Sequence, residues 1–215
     1  RNRCLVVGEA LGTVPEGFRE RLAAEGVFSN SIFMFERYDN GLFKRPDTYE
    51  RQALAAVDCH DLPTLAGMWE GADLAQRREI GLIKDDAALA AAQHQRAEDR
   101  QALLGALADQ NLLSDGIDLA SPDTAPTEAV NEGVHRFIAR SPAALVSASL
   151  DDLLGEMDQI NIPGTVREYP NWRRKYALPL EDLENHPQFR AITKALAEER
   201  PRSDDFSGHL PVKSG

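Results

Sequence analysis

The sequence predicts an α/β fold built on a parallel sheet, and three observations lead there. Short apolar runs alternate with longer breaker-poor stretches, each apolar run ends abruptly in polar residues, and Pro or Gly punctuates the joins. Two of these run ends present carboxylates. Leu54 to Val57 gives way to Asp58-Cys59-His60-Asp61, with Pro63 suited to the first turn of a following helix. Cys4 to Val7 delivers Glu9 between Gly8 and Gly12.

Taken in order, Cys4 to Val7 is a fully apolar, partly β-branched run, the pattern of a parallel strand buried on both faces. Thr13-Val14-Pro15-Glu16 has capping-box spacing and predicts a helix running to about Glu25, stopped by Gly26. Ser31 to Glu36 reads as the second strand, and Asp39 to Tyr49 as an irregular connection turned at Asn40-Gly41. Ala53 to Val57 is the third strand, followed by a helix from Leu65 to Glu70 that Gly71 closes. Asp73 to Gln110, rich in Ala, Gln, Glu, Arg and Leu, predicts two or three helices. Ser121 to Pro126 is a linker-like loop, and Thr127 to Arg140 an amphipathic helix. Ala143 to Ser149 is a fourth strand candidate, with Leu150 to Leu154 a short helical turn. Gln159 to Lys175 is a polar loop holding Tyr169 and Trp172, Pro187 to Glu199 a last helix, and residues 201–215 a loosely ordered tail. Strands alternating with helices imply right-handed crossovers, and such sheets gather functional residues at strand C-termini. Glu9, Glu36, His60 and Asp61 all fall there.

With 215 residues, 42% of them hydrophobic, the chain can bury the core of one large or two small domains. Its apolar runs fall far short of the roughly 20 residues needed to span a bilayer, so a soluble protein with no membrane partner is expected. A net charge of −11 argues against a nucleic-acid partner, because phosphate contacts need clustered cations. The basic knot Arg173-Arg174-Lys175 reads as a solvated or carboxylate-paired surface rather than an anion site. Cys4 and Cys59, both expected in buried strands, favour free thiols and a cytoplasmic location. A chain opening at Arg1 just before a strand is expected to be part of a longer polypeptide.

Two or three carboxylates converging on one cleft are the equipment of glycoside chemistry: one acid protonates the leaving oxygen while another stabilises an oxocarbenium-like centre. Glu9, on an apolar strand beside Leu11, is the better proton shuttle, since desolvation raises a carboxyl pKa. Asp61, beside a histidine donor, is expected to stay ionised. The plainer alternatives are a capping or ion-paired role for Glu9 and a surface salt bridge for Glu36, to Arg37 or a neighbour. A metal at Cys59-His60-Asp61 is the rival there, although contiguous residues on an extended strand point to alternate faces.

At these residues the sequence resembles a known family. Gly8-Glu9-Ala10-Leu11-Gly12 is similar to the Gly-Glu-Asp-Leu-Gly signature of the 4-α-glucanotransferases, also called amylomaltases. His60-Asp61-Leu62-Pro63-Thr64 is similar to their Thr-His-Asp-Leu-Pro-Thr segment. Gln159-Ile160-Asn161-Ile162-Pro163-Gly164-Thr165 with Pro170-Asn171-Trp172-Arg173-Arg174-Lys175 resembles their C-terminal signature. The resemblance covers roughly Leu5 to Leu183.

It implies the C-terminal half of a (β/α)8 barrel, strands five to eight, over residues 1–200, with a helical insertion at about 73–140. It also implies retaining chemistry on α-1,4-glucans, with maltooligosaccharides as substrates and no cofactor. Glu9 matches the family's acid/base, Asp61 its transition-state-stabilising aspartate, His60 the adjacent sugar-binding histidine, and Asn161 a residue near the donor sugar. Ala10 stands where the family usually has Asp, which removes a carboxylate from the surroundings of Glu9, and Cys59 stands where it usually has Thr, a milder, near-isosteric change. The family's nucleophile, an aspartate after strand four, has no counterpart here. The N-terminal half of the barrel is therefore expected to be required, and the 215 residues alone inactive. An α-glucan hydrolase of the same superfamily and a non-catalytic glucan-binding or interaction domain are the rival readings; Trp172 is read either as a sugar-stacking surface or as core.

Overall fold

A computed structural model describes residues 4–9 and 14–201. Four parallel strands form one sheet in sequence order: β1 (Val7–Gly8), β2 (Phe28–Ile32), β3 (Ala53–Ala56) and β4 (Leu145–Val146). The α/β expectation with a parallel sheet therefore holds. β3 is the centre of the sheet in energetic terms. Ala53-Leu54-Ala55-Ala56 has a helix former's composition, yet it is extended because Ser29 to Ile32 pair along one edge and Leu145 and Val146 along the other. Ala53 and Ala55 are fully buried against Tyr49 and Ala143. Small side chains there let the covering layer approach closely.

The edges depart from expectation. β1 is two residues long, and Cys4, Leu5, Val6 and Val7 are exposed, so the anticipated strand buried on both faces is here a sheet edge with one partner. β2 lies three residues earlier than the apolar run suggests: the chain at Phe33–Phe35 tightens into a 3-10 turn instead of continuing the strand. Apolarity of Phe33, Met34 and Phe35 was the misleading signal. Phe33 is buried because its ring stacks on Phe43 at 4.4 Å and meets Phe137 edge-on at 5.4 Å, a packing role that a 3-10 turn serves as well as a strand.

Helix α1 (Phe18–Ala24) joins β1 to β2, and α5 (Thr127–Ala139) leads into β4. The helix expected from the capping box begins later than predicted, after Gly17, and takes no side-chain cap; Thr13 lies outside the described residues. Its end is as expected, with Gly26 at φ 77°. The β2–β3 connection carries no α-helix; it holds the 3-10 turns Phe33–Phe35 and Pro46–Thr48 and a turn at Asn40-Gly41 inside an antiparallel bridge between Arg37 and Phe43.

After β3 come α2 (Leu65–Glu70), α3 (Ala72–Glu79) and the 24-residue α4 (Asp86–Asp109). Gly71, at φ 81°, ends α2 and starts α3. Asp85 caps α4 by accepting from Ala88 N at 2.8 Å. Only Leu103, Leu104 and Leu107 of α4 are buried, all near its C-terminal end. They pack with Leu65, Met68 and Trp69 of α2 and Val130, Val134, Phe137 and Ile138 of α5. Burial of each such side chain is worth roughly 1.5–3 kcal/mol. The face of α3 towards α4 is fixed by a bidentate pair, Arg96 to both oxygens of Asp73, at 2.7 Å each. Helices α6 (Leu150–Leu154) and α7 (Pro187–Glu199) close the layer, with α7 lying along α5 through Arg136 and Arg140 pairing with Glu198 and Glu199. The tail beyond Pro201 lies outside the described residues.

Candidate active site at the strand C-termini

The site is built on the turn that follows β3. Leu62 N donates to Cys59 O at 2.9 Å, which closes a tight turn with His60 and Asp61 at its two central positions. Thr64 then caps α2: its Oγ1 accepts from Gly67 N at 3.0 Å and donates to Glu156 O at 2.6 Å. The turn is thereby tied forward to α2 and across to the segment after α6. Its tip stays open, the His60 and Asp61 side chains being 45% and 48% exposed.

Asn161 and Trp172 converge on that tip, where His60 and Asp61 face each other. Asn161 Nδ2 donates to Asp61 Oδ1 at 2.7 Å. His60 Nε2 lies 3.5 Å from the same oxygen. The Trp172 ring sits 5.3 Å from the imidazole of His60, tilted by 47°. Trp172 adopts φ 61°, an uncommon conformation for a bulky residue, and its amide donates to Ile160 O at 3.0 Å. The backbone thus turns the indole outwards, where it is 60% exposed; of the two readings of Trp172, the core one is overturned. Asn171 braces the loop behind it: its Oδ1 accepts from Ile162 N at 2.9 Å and its Nδ2 donates to Thr165 Oγ1 at 2.8 Å.

Glu9 stands at the end of β1, two strands away from β3 and at the same end of the parallel sheet. Glu9 and Asp61 both act on Cys59, whose thiol pKa is pushed up by burial first and then by the charges of Asp61, Asp58 and Glu9. Glu9 itself is exposed, so the apolar enclosure expected around it is not formed by the described residues; Ala10 and Leu11 lie outside them. Glu36 is elsewhere engaged, accepting from Lys44 Nζ at 2.8 Å, and takes no part in the cluster. Among the described residues, no group of three or more His, Cys, Asp and Glu is placed to hold a metal ion.

Behind the turn lies a buried polar knot that sequence reading missed. Asp152, fully buried, accepts from Leu65 N at 3.0 Å through Oδ1, and its backbone oxygen accepts from Asn131 Nδ2 at 2.8 Å and Gln188 Nε2 at 2.7 Å. His135, also fully buried, faces Asn131 O with Nδ1 at 2.9 Å. Burial raises the Asp152 pKa, while nearby His135 and the Leu65 amide pull it down. Asp58 is raised well above the usual range, by burial first and then by Asp152 and Asp151. Burial lowers the His135 pKa, against the opposing pull of Asp152 and the Asn131 carbonyl. Asn131 and His135, four residues apart, share a face of the amphipathic α5, the one signal that could have exposed the knot.

The basic knot is carboxylate-paired at Arg174, which binds Asp158 and donates to Tyr169 Oη at 3.1 Å. Cys4 and Cys59 are free, Cys4 exposed and Cys59 half-buried. No helix among the described residues is long and apolar enough to cross a membrane.

A family model described as 4-alpha-glucanotransferase matches residues 1–180. A 4-alpha-glucanotransferase of Haemophilus influenzae is 36% identical over 180 residues, 84% of this chain and 26% of that protein. One of Mycobacterium tuberculosis is 37% identical over 193 residues, 87% of this chain and 25% of that protein. The chain thus spans about a quarter of the length of the curated relatives it matches. The crystal structure of amylomaltase from Corynebacterium glutamicum superposes with a TM-score of 0.79 at 30% identity, covering 89% of this chain and 28% of that one. The amylomaltase of Streptococcus agalactiae in complex with acarbose, at 19% identity and a TM-score of 0.58 over 90% of this chain and 31% of that one, shares the fold.

Proposed function

Since the chain belongs to the 4-alpha-glucanotransferase family, we propose that it is the part of a retaining 4-α-glucanotransferase that supplies the acid/base and the transition-state-stabilising carboxylate, within the strand-five-to-eight half of a (β/α)8 barrel. The observation that carries the proposal is the Asp61 cluster: a carboxylate oriented by Asn161 and His60, beside an exposed indole, at the same sheet end as Glu9. The residues do the following work. The nucleophilic aspartate, contributed by the N-terminal half of the barrel, attacks the anomeric carbon. Glu9 gives its proton to the departing 4-oxygen, then takes the proton of the acceptor glucan's 4-hydroxyl as that oxygen attacks the anomeric carbon and releases the aspartate. Asp61 stabilises the positive charge that spreads over the ring oxygen and anomeric carbon. His60 and Asn161 hold Asp61 and the sugar hydroxyls, and Trp172 offers a flat apolar face to a pyranose ring. Everything in this scheme is acid/base and nucleophilic chemistry by side chains, and it calls on no cofactor. The free thiols of Cys4 and Cys59 support a cytoplasmic location.

Incubation of the complete protein with maltotriose tests the proposal. Glucose together with maltooligosaccharides longer than the substrate is the expected product pattern. Glucose and maltose alone would identify an α-glucan hydrolase. Unaltered maltotriose with retained glucan binding, insensitive to Glu9→Gln, would identify a binding domain.

A further inference from the structure

We propose that Asp152 is a positioning residue for the Asp61 turn, fixing through the Leu65 amide the helix start that immediately follows His60 to Thr64; the inference rests on the glucanotransferase reading above. Asp152 is fully buried and stands 87 positions from Leu65, yet its carboxylate accepts from that amide at 3.0 Å. Leu65 is the first residue of α2, where backbone N–H groups lack helical partners. Thr64 satisfies the Gly67 amide, and Asp152 satisfies that of Leu65. A carboxylate at a helix N-terminus is also favoured by the helix dipole.

The anchor is itself anchored. Its backbone oxygen takes donors from α5 (Asn131) and α7 (Gln188), and Ser149 Oγ accepts from its amide at 3.1 Å. Helices α5 and α7 and the Ser149 cap thus hold the Asp152 backbone, and its carboxylate holds the end of the five-residue stretch, His60 to Thr64, that presents His60 and Asp61. Asp58, at the other end of the turn, approaches the same carboxylate. Oδ2 of Asp152 has no donor among the described residues, and the neighbouring Asp58 carboxyl is held well above its ordinary range by burial and by Asp152. The charged and titratable groups facing Asp152 are Asp58 after β3, Asp151 on α6 and His135 on α5, with Tyr176 bonded to Asp151. Both ends of the turn thus converge on Asp152, which sets where Asp61 stands relative to a sugar held by the rest of the site.

The test compares Asp152→Ala, Asp152→Asn and Gln188→Ala in the complete protein. Displacing a catalytic group by about 1 Å costs up to a hundredfold in rate. Asp152→Ala is therefore expected to lower kcat for maltotriose by roughly ten- to a hundredfold while KM stays within about twofold. Asp152→Asn, whose amide oxygen still accepts from Leu65, is expected to recover most of the rate. Gln188→Ala removes a donor to the Asp152 backbone without touching its carboxylate, and is expected to lower Tm and leave kcat in place. If Asp152→Ala does not fold, Asp152→Ser, too short to reach Leu65, takes its place. Wild-type kcat in either truncated variant, or a fall in Gln188→Ala as large as theirs, overturns the proposal. Amide exchange over residues 58–66 gives a readout independent of turnover: faster in the truncated variants, unchanged in Gln188→Ala. Should the wild-type protein fail to convert maltotriose, the glucanotransferase reading falls, and the exchange comparison alone decides the positioning role.

Discussion

Asn161 and Asp61, 100 positions apart in sequence, meet at 2.7 Å, the Asn161 amide donating to Oδ1 of Asp61. A hydrogen bond to a charged group is worth about 1.5–3 kcal/mol, so Asn161→Ala is expected to lower kcat/KM for maltotriose by roughly ten- to a hundredfold. Asn161→Asp sets two carboxylates side by side, which keeps a proton on one of them to higher pH. The acid limb of its kcat/KM profile is expected to move upwards, and an unmoved limb would count against Asp61 as the ionised partner.

Glu9→Gln removes both the proton donor and the base, at an expected loss of about 10²- to 10⁴-fold in kcat on maltotriose. α-Maltosyl fluoride needs no proton to leave, so with that donor the variant is expected to release a burst of fluoride and then stall as the glycosyl-enzyme. Rapid-quench measurement of fluoride reads this directly, and an absent burst removes Glu9 from the acid/base role.

Gly67 lies under the segment that follows α6. A Cβ there would stand 2.2 Å from Met157 O and 2.9 Å from Thr64 Oγ1. Gly67→Ala is expected to destabilise by about 1–3 kcal/mol in urea melts, by forcing the Thr64 cap away from Glu156. Gly105, inside α4, meets nothing within 4 Å. Gly105→Ala is expected to stabilise by about 0.5–1 kcal/mol, since it only reduces backbone freedom in a helix.

The Asp73–Arg96 pair is nearly sealed from water, its side chains 4% and 12% exposed. Asp73→Ala leaves a guanidinium buried without its carboxylate and is expected to cost about 3–5 kcal/mol. Asp73→Leu combined with Arg96→Met is expected to cost much less, which a double-mutant cycle measures.

Asp58 has a folded pKa above its unfolded value. Its contribution to stability is complete below the unfolded carboxylate pKa of about 3.9 and is lost as pH rises through the folded one. Asp58→Asn imitates the protonated form at every pH. Its Tm is therefore expected to match wild type near pH 4 and to exceed it increasingly towards pH 8, by a few degrees.

Helices were legible where caps and stops were spelled out locally. Leu65 to Glu70 before Gly71, and Pro187 to Glu199, have the bounds that their Pro and Gly punctuation implies. Strands were less so. Apolar runs located them within a few residues, but Cys4 to Val6 and Phe33 to Phe35 are equally apolar, and only the sheet edge and the Phe43 stack decide that neither is a strand. In the site, His60, Asp61 and Glu9 could be singled out because each follows closely on an apolar run that forms a strand. The contact of Asn161 with Asp61 and the hold of Asp152 on Leu65 join residues 100 and 87 positions apart. No local pattern encodes such pairings. The indole of Trp172 faces outwards because of a left-handed backbone that composition does not signal.

Helix α4 carries a further implication. From Asp86 to Arg96 it is mostly Ala and Gln with its side chains largely in solvent, and its apolar anchors all lie towards the other end. Such a segment is held straight by alanine's low conformational penalty and pinned by ion pairs to α3, Asp86 to Arg78 and Arg96 to Asp73, much as a rod is clamped along one side. Probes or affinity tags grafted at the exposed Ala90 or Ala91 would ride on that rod, giving an attachment point for optical or force measurements.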